Sequence, residues 1–290
     1  MRKWIGILIS ASLAGSAFGV DVIQDRVYGL KSQSSTAGAG PTNLFRFNVD
    51  GTGFTDLGAV KVGGLNVEAD GLAYDGFGLY GFAITANGSQ FLSIHPTTAI
   101  GTTVGTFFGG KQFRAAGITP WNSVLALDVL SSQLWDINTF DASSSLVGTL
   151  ARSFSTATDL AYRPNGELWI TDANEFHRIS GLATSLIYTD NDAQAETGAP
   201  PSFPGIAFDS SGFSNDVYTY DVLGQDDVFS FQSGSLAGSR ALLYSNIIPS
   251  FDAGRGDLAS RVATVPEPAT LVALGLGALA LLRRRRVQSR

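Results

Sequence analysis

The sequence predicts an all-β protein, a β-propeller of about five four-stranded blades, and three observations carry that prediction. The stretch Gly71-Leu72-Ala73-Tyr74-Asp75 returns at Gly117–Trp121, Asp159–Arg163 and Gly205–Asp209, with a worn copy at Asp257–Ser260; the intervals are 46, 42, 46 and 52 residues, the spacing of a propeller blade. A second recurring strand alternates packed and wetter positions with period two, the mark of a sheet buried on one face. Finally, the chain has 34 Gly and no Cys. It must hold itself together by core and sheet ladders, with many tight turns that need positive φ. A six-bladed ring and a β-sandwich are the alternatives.

At the amino terminus Arg2 and Lys3 precede an apolar run from Trp4 to Ala14 and then the small residues Gly15, Ser16 and Ala17. A charged, an apolar and a small-residue region in that order read as a secretory signal peptide, assigned to residues 1–19. Residues 20–264 are read as the propeller.

Within each repeat the strand above, strand a, is followed by an apolar strand b: Leu79–Phe82, Val124–Leu127, Leu168–Ile170 and Val217–Tyr220. Asp128, Asp172 and Asp221 recur just past it, where a short carboxylate can accept bonds from nearby backbone N–H groups in a hairpin. Strand c is the clearest column: Leu44–Asn48, Phe91–His95, Leu134–Asn138, Phe176–Ser180 and Val228–Gln232. Its second and fourth positions (Phe45/Phe47, Leu92/Ile94, Trp135/Ile137, His177/Ile179, Phe229/Phe231) form the packed face. Strand d is weaker, at Thr103–Thr106, Leu146–Thr149 and Leu242–Tyr244. The first blade, Val27 to about Val60, has strands b, c and d but no strand a, while the copy at Asp257–Val262 lies at the far end of the domain. That carboxyl-terminal strand is expected to supply the missing inner strand, closing the ring and removing its free edges.

After the last repeat, Val265-Pro266-Glu267-Pro268-Ala269-Thr270 leads into an apolar stretch, Leu271–Leu282, and then Arg283, Arg284, Arg285 and Arg286. A helix from Ala269 to Leu282 would span about 21 Å, short of the roughly 30 Å hydrocarbon core, and the Arg cluster would keep its end on the cytoplasmic side. This order closely resembles the PEP-CTERM sorting signal of Gram-negative bacteria, and residues 265–290 are assigned to it. The resemblance implies processing near Pro266-Glu267-Pro268 by an exosortase-type membrane protease, with a transient inner-membrane intermediate. It also implies a final place at the cell surface or in an extracellular matrix containing exopolysaccharide. Over the domain, the rhythm of the repeats and Leu168-Trp169-Ile170-Thr171-Asp172-Ala173-Asn174 loosely resemble propellers of the YVTN/NHL type, which speaks to fold and not to activity.

Charge and composition narrow the function. Between Asp21 and Thr264, 12 Lys and Arg stand against 24 Asp and Glu, a net charge of −12, which disfavours phosphate backbones as partners. Thiolate metal sites and a Cys nucleophile are excluded. The two histidines, His95 and His177, occupy different repeat positions on different blades, so no pair is expected. No nucleophile elbow, zinc-protease helix, phosphate loop or EF-hand series is present, and no catalytic constellation or obligatory cofactor is read from the chain.

The candidate ligand face is acidic: Asp70 and Asp159 entering strand a, and Asp128, Asp172 and Asp221 in the b-to-c turns. If they converge they would suit Ca²⁺, together with backbone oxygens, or sugar hydroxyls; otherwise each serves its own hairpin. Trp121 follows an inner strand containing Pro120 and is expected to pack between blades; a solvent-facing Trp would be a second way to hold sugar. The leading expectation is a non-enzymatic binding or scaffolding protein of the polysaccharide layer. Its competitor is a metal-dependent propeller enzyme (lyase, lactonase or glycoside-cleaving) using the acidic face. A third reading is a structural surface protein with no small ligand.

Overall fold

The computed structural model describes residues 26–32, 40–50, 52–192, 200–209, 216–222, 227–245, 247 and 255–261. The expected signal peptide and sorting segment lie outside the described residues. Among those described, no helix is long and apolar enough to cross a membrane.

Every described element is a strand, and the strands form five sheets around one axis. The first holds β1 (Arg26–Ser32), β2 (Thr42–Asn48) and β3 (Thr55–Ala59). The second holds β4 (Lys61–Val62), β5 (Leu65–Asn66), β6 (Ala69–Tyr74), β7 (Leu79–Thr85), β8 (Gly88–Ile94), β9 (Ile100–Thr103) and β10 (Phe108–Gly109). The third is β11 (Phe113–Ile118), β12 (Val124–Asp128), β13 (Gln133–Ile137) and β14 (Ser144–Thr149). The fourth is β15 (Thr158–Tyr162), β16 (Leu168–Asp172), β17 (Glu175–Ser180) and β18 (Ala183–Thr189). The fifth is β19 (Gly205–Phe208), β20 (Asp216–Tyr220), β21 (Val228–Gln232) and β22 (Ala241–Tyr244). The last strand, β23 (Gly256–Ser260), returns to the first sheet and pairs antiparallel with β1, Gly29 opposite Leu258, giving the order β23-β1-β2-β3. The protein is therefore an all-β propeller whose first blade takes its inner strand from the carboxyl end, as the worn repeat predicts.

Four sheets have four strands; the second has seven, which departs from the expected uniform blade. The extra strands have a local cause. Gly63 and Gly64 both sit at positive φ (59° and 83°), so residues 61–66 turn tightly into a small hairpin. Its strand β4 then adds in parallel to the outer edge of β9, capping an edge that would otherwise be open. The outer strand there spans Ile100–Thr103 instead of the predicted Thr103–Thr106. A second correction concerns the third inner strand. It is Phe113–Ile118, and the segment read as its end is a turn: Thr119 N–H bonds to Ser123 O at 2.8 Å and Asn122 N–H to Thr119 O at 3.0 Å, with Asn122 at φ 70°. Pro120 follows Thr119 in that tight turn, where its fixed φ favours turning over strand continuation.

The core is divided among the interfaces between neighbouring sheets. Tyr28, Leu30 and Leu44 pack on Leu72, Leu79 and Leu92; Phe82 and Phe91 on Phe113 and Ile137. Leu125 and Leu134 meet Leu160 and Ile170, and Trp169 and Phe176 meet Ile206 and Phe231. The fifth cluster joins the last sheet to the first through Tyr218 and Tyr220 against Phe45 and Phe47, with Phe45 and Tyr220 edge-on at 5.9 Å between ring centroids. Five interfaces for five sheets close the ring. Burying each such large side chain contributes roughly 1.5–3 kcal/mol, so closure is favoured by packing as well as by the β1–β23 ladder. At the inner strands the backbones come very close: a Cβ on Gly205 would lie 2.9 Å from the amide N of Leu258, so glycine is what lets β19 approach β23.

Candidate functional site

The acids singled out by the sequence divide into two groups. Asp128, Asp172 and Asp221 end strands β12, β16 and β20 or immediately follow them, and all are buried. Each accepts a backbone N–H from the loop entering the inner strand of its own blade. Gln112 N–H reaches Asp128 Oδ1 at 3.0 Å, Ser155 N–H reaches Asp172 Oδ1 at 2.9 Å, and Ser202 N–H reaches Asp221 Oδ1 at 2.7 Å. This is one bond repeated in three blades. A buried amide without it would lose about 1–3 kcal/mol. The three carboxylates stay in separate blades and do not converge.

Asp70 and Asp159 both lie on inner strands, and each acts on Asp257 of the closing strand. Asp70 precedes Gly71, the first residue of its repeat copy, whereas Asp159 and Asp257 occupy the Gly71 position of theirs; Arg114 lies on β11, three residues before Gly117. Asp159 Oδ1 accepts Leu160 N–H at 2.6 Å, and its Oδ2 accepts Ile206 N–H at 2.7 Å from the next blade and Leu258 N–H at 3.2 Å from the closing strand. Asp257 Oδ2 accepts Leu72 N–H. Arg114 Nη1 donates to Asp70 Oδ2 at 3.0 Å and stands 3.8 Å from Glu68, which also pairs with Arg255. All of these side chains are buried. Burial pushes the Asp159 carboxyl up to about 8 and Asp257 well above the ordinary carboxylate range; the charge of Asp159 raises Asp257 further. Asp70 is likewise pushed up, to about 7, by burial, against the pull of Arg114. The carboxylates on the inner strands are thus internal fasteners. Nearby, the residual space lined by Leu72, Ala116, Leu160 and Leu258 is only about 10 Å³, barely one water.

Neither histidine joins another in a site. His95 caps a turn, its Nδ1 facing Thr97 N–H at 3.3 Å. His177 is buried on β17, its Nε2 2.8 Å from Glu175 Oε2. Arg152 bonds to Asp172 and Glu175 and approaches the His177 ring, so this cluster already holds its own cation. Among the described residues no group of three or more His, Asp or Glu could hold a metal ion.

An open depression lies elsewhere, where the turn between β11 and β12 meets the turn between β13 and β14. It measures about 510 Å³ and is lined by Trp121, Asn122, Asp136, Asn138, Ser143 and Ser145, among others. Trp121 is 62% exposed, which corrects the expectation that it packs between blades: the Thr119–Ser123 turn carries it outward. Its indole is braced edge-on by Tyr162 at 6.4 Å. The second turn is built by Asn138, whose Oδ1 accepts Phe140 N–H at 2.8 Å, and by Asp141, which accepts Ser143 N–H at 2.9 Å. Thr139 Oγ1 donates to Asn122 O at 3.5 Å, tying the two turns together. Asp136 projects from β13 beneath them, and its buried Oδ1 takes no hydrogen bond. Sequence reasoning passed over Asp136 as one of the wetter positions of strand c; its opposition to Leu125 and Ser145 in the sheet is a tertiary fact.

Residues 264–286 match the model described as "PEP-CTERM protein-sorting motif". The chain carries a PEP-CTERM sorting motif at its carboxyl terminus. That motif marks an exported protein sorted to the cell surface and implies processing by an exosortase. It begins three residues after Arg261, which bridges to Tyr74 just beyond the closing strand. No curated protein matches the chain in sequence. Among solved structures, a structural genomics protein of unknown function from Bacteroides thetaiotaomicron VPI-5482 is similar in fold, with TM-score 0.50 and 11% identity over 77% of this chain and 66% of that one; this chain spans just under two thirds of its length. A chain of the nidogen/laminin complex (TM-score 0.46, 15% identity, 74% of this chain and 77% of that one) is also similar. So is TolB from Acinetobacter baumannii (TM-score 0.48, 12% identity, 82% and 67%). At 11% identity the likeness to the Bacteroides protein speaks for the fold alone.

Proposed function

We propose that this chain is an exported, non-enzymatic binding or scaffolding propeller, delivered through an inner-membrane intermediate and associated with extracellular polysaccharide. The observation that carries the reading is the sorting motif set directly behind the closing strand. The last strand of the ring and the processing signal adjoin, so cleavage near Pro266-Glu267-Pro268 would leave the ring complete. The fate of the acids supports the non-enzymatic half: they are spent on backbone amides and ion pairs inside the blades. The test is fractionation of a host that carries an exosortase and makes exopolysaccharide. The full chain should reach the surface or matrix in a shortened form. Replacing Glu267 by Ala, or Arg283–Arg286 by Ser, should leave it uncleaved in the membrane fraction. Equal surface delivery of these variants would refute the reading.

A further inference from the structure

We infer that the depression at Trp121 is a binding site for uncharged pyranose units of a glycan, with the Trp121 indole as stacking platform and Asp136 as hydroxyl acceptor. The inference deepens the polysaccharide reading above and rests on it for the source of the glycan; the site itself is argued from its own geometry.

A pyranose ring has apolar C–H faces and a rim of hydroxyls, so a site for it needs a flat apolar surface beside closely set polar groups. Trp121 provides the surface. It is the one tryptophan among the described residues that is largely exposed, and its edge contact with Tyr162 holds the ring in place before anything binds. The polar groups around it are Asn122, Asn138, Ser145 and Asp136. Asp136 is the informative one. It lines the depression, and its buried Oδ1 takes no hydrogen bond from the protein, so the carboxylate keeps acceptor capacity that the fold does not use. A volume of about 510 Å³ falls in the range of small-molecule sites, enough for one or two sugar units.

Charge selects the kind of sugar. Asp136 is the single ionisable group lining the depression, and no Lys or Arg is there. An anionic glycan, carrying uronate, sulfate or phosphate, would face a carboxylate with no cation to answer it. A cation is no better served, since one carboxylate does not make a metal site. Phe140, at the tip of the adjoining turn and 91% exposed, offers a second apolar surface beside the groove, consistent with a chain of sugars and not a lone monosaccharide.

The test uses the full chain, labelled with fluorotryptophan and purified in a detergent without sugar headgroups. Fluorine NMR then separates the tryptophans, and Trp121→Phe assigns the resonance of interest. Methyl glycosides of glucose, galactose and mannose, and cello-, malto- and laminari-oligosaccharides, are the neutral probes; methyl glucuronide is the anionic one. At least one neutral probe should shift the Trp121 signal saturably, with Kd in the millimolar range for single units and tighter for oligomers. Asp136→Asn should weaken binding about tenfold, Trp121→Ala should abolish it, and both should melt near the parent temperature. The inference fails if no neutral probe moves the Trp121 signal, if methyl glucuronide binds more tightly, or if both variants bind a neutral probe as the parent does. Retention of exopolysaccharide by Trp121→Ala cells would remove this site and leave the proposed function standing. Sugar binding by a chain that never leaves the membrane would do the reverse.

Discussion

Replacing Asp257 by Asn probes the junction on which ring closure depends. In the native protein burial raises both the Asp159 and Asp257 carboxyls; Asp159 raises Asp257 further, while the hydrogen bond from Asp257 holds Asp159 down, so the pair retains a proton that the unfolded chain gives up. Both folded values lie above the unfolded value near 3.8. The stabilisation from the pair is therefore complete below about pH 4 and is lost as pH rises toward about 8. One retained proton gives a slope of about 1.4 kcal/mol per pH unit, and over four units an upper bound of about 5 kcal/mol. An amide at position 257 can accept Leu72 N–H through its oxygen and donate to Asp159 through its nitrogen, so no proton need be held. The variant should match the parent near pH 5, exceed it by about 2 kcal/mol or more at pH 8, and show a flatter profile. A residual slope of the same sign remains, because Asp70 is also raised, beside Glu68, Arg114 and Arg255. Carboxylates held low by their partners, such as Glu167 beside Arg163 and Glu175 beside His177, have the opposite sign and act at more acid pH. The assay is equilibrium urea unfolding from pH 5 to 8.5. A parent stability that stays level or rises across that interval would refute the shared proton. So would an Asn variant that loses stability at every pH.

Three further outcomes follow from the same inner ring and turns. Gly205→Ala would place a methyl 2.8 Å from Leu258 Cγ and 2.9 Å from its amide N, so the closing strand must shift; a loss of about 1–3 kcal/mol in urea unfolding is expected, and an unchanged midpoint would disprove the close approach. Arg114→Met leaves Asp70 and Glu68 buried with one cation fewer, costing about 3–5 kcal/mol, and adding Asp70→Asn should return a large part of it; no recovery in the double variant would show that packing, not charge, is what Arg114 supplies. Millimolar Ca²⁺ should leave the melting temperature unmoved, since the turn acids are already bonded to Gln112, Ser155 and Ser202; a saturable rise would mean that calcium binds the folded state.

Much of the architecture was legible because its signals are local. Period-two alternation at Phe45/Phe47, Leu92/Ile94 and Phe229/Phe231 follows from the geometry of a strand whatever it packs against, and each of these residues is buried. The repeat of strand a, down to the copy at Asp257–Ser260, was enough to predict how the ring closes, because a blade lacking its inner strand and a strand lacking a blade leave one economical pairing. The sorting motif is equally local, an ordered run of residue types. Where local reading went astray, a turn competed with a strand: Pro120 and Asn122 bend the chain at a point where Trp121 looks like the end of an apolar run.

What only the tertiary structure decided is the fate of the charges and of that tryptophan. Whether an acid serves a ligand or the fold depends on partners that are distant in sequence: Leu72 and Asp257 lie 185 residues apart, Glu68 and Arg255 187. Nothing at the sequence position of Asp70 or Asp159 announces them. Asp136 shows the converse, an acid of no distinction in the sequence whose unpaired oxygen appears only once β13 lies between β12 and β14. Strand identity is written in neighbours a few residues away. The environment of a buried or half-buried polar group is set by whatever the closed ring brings against it.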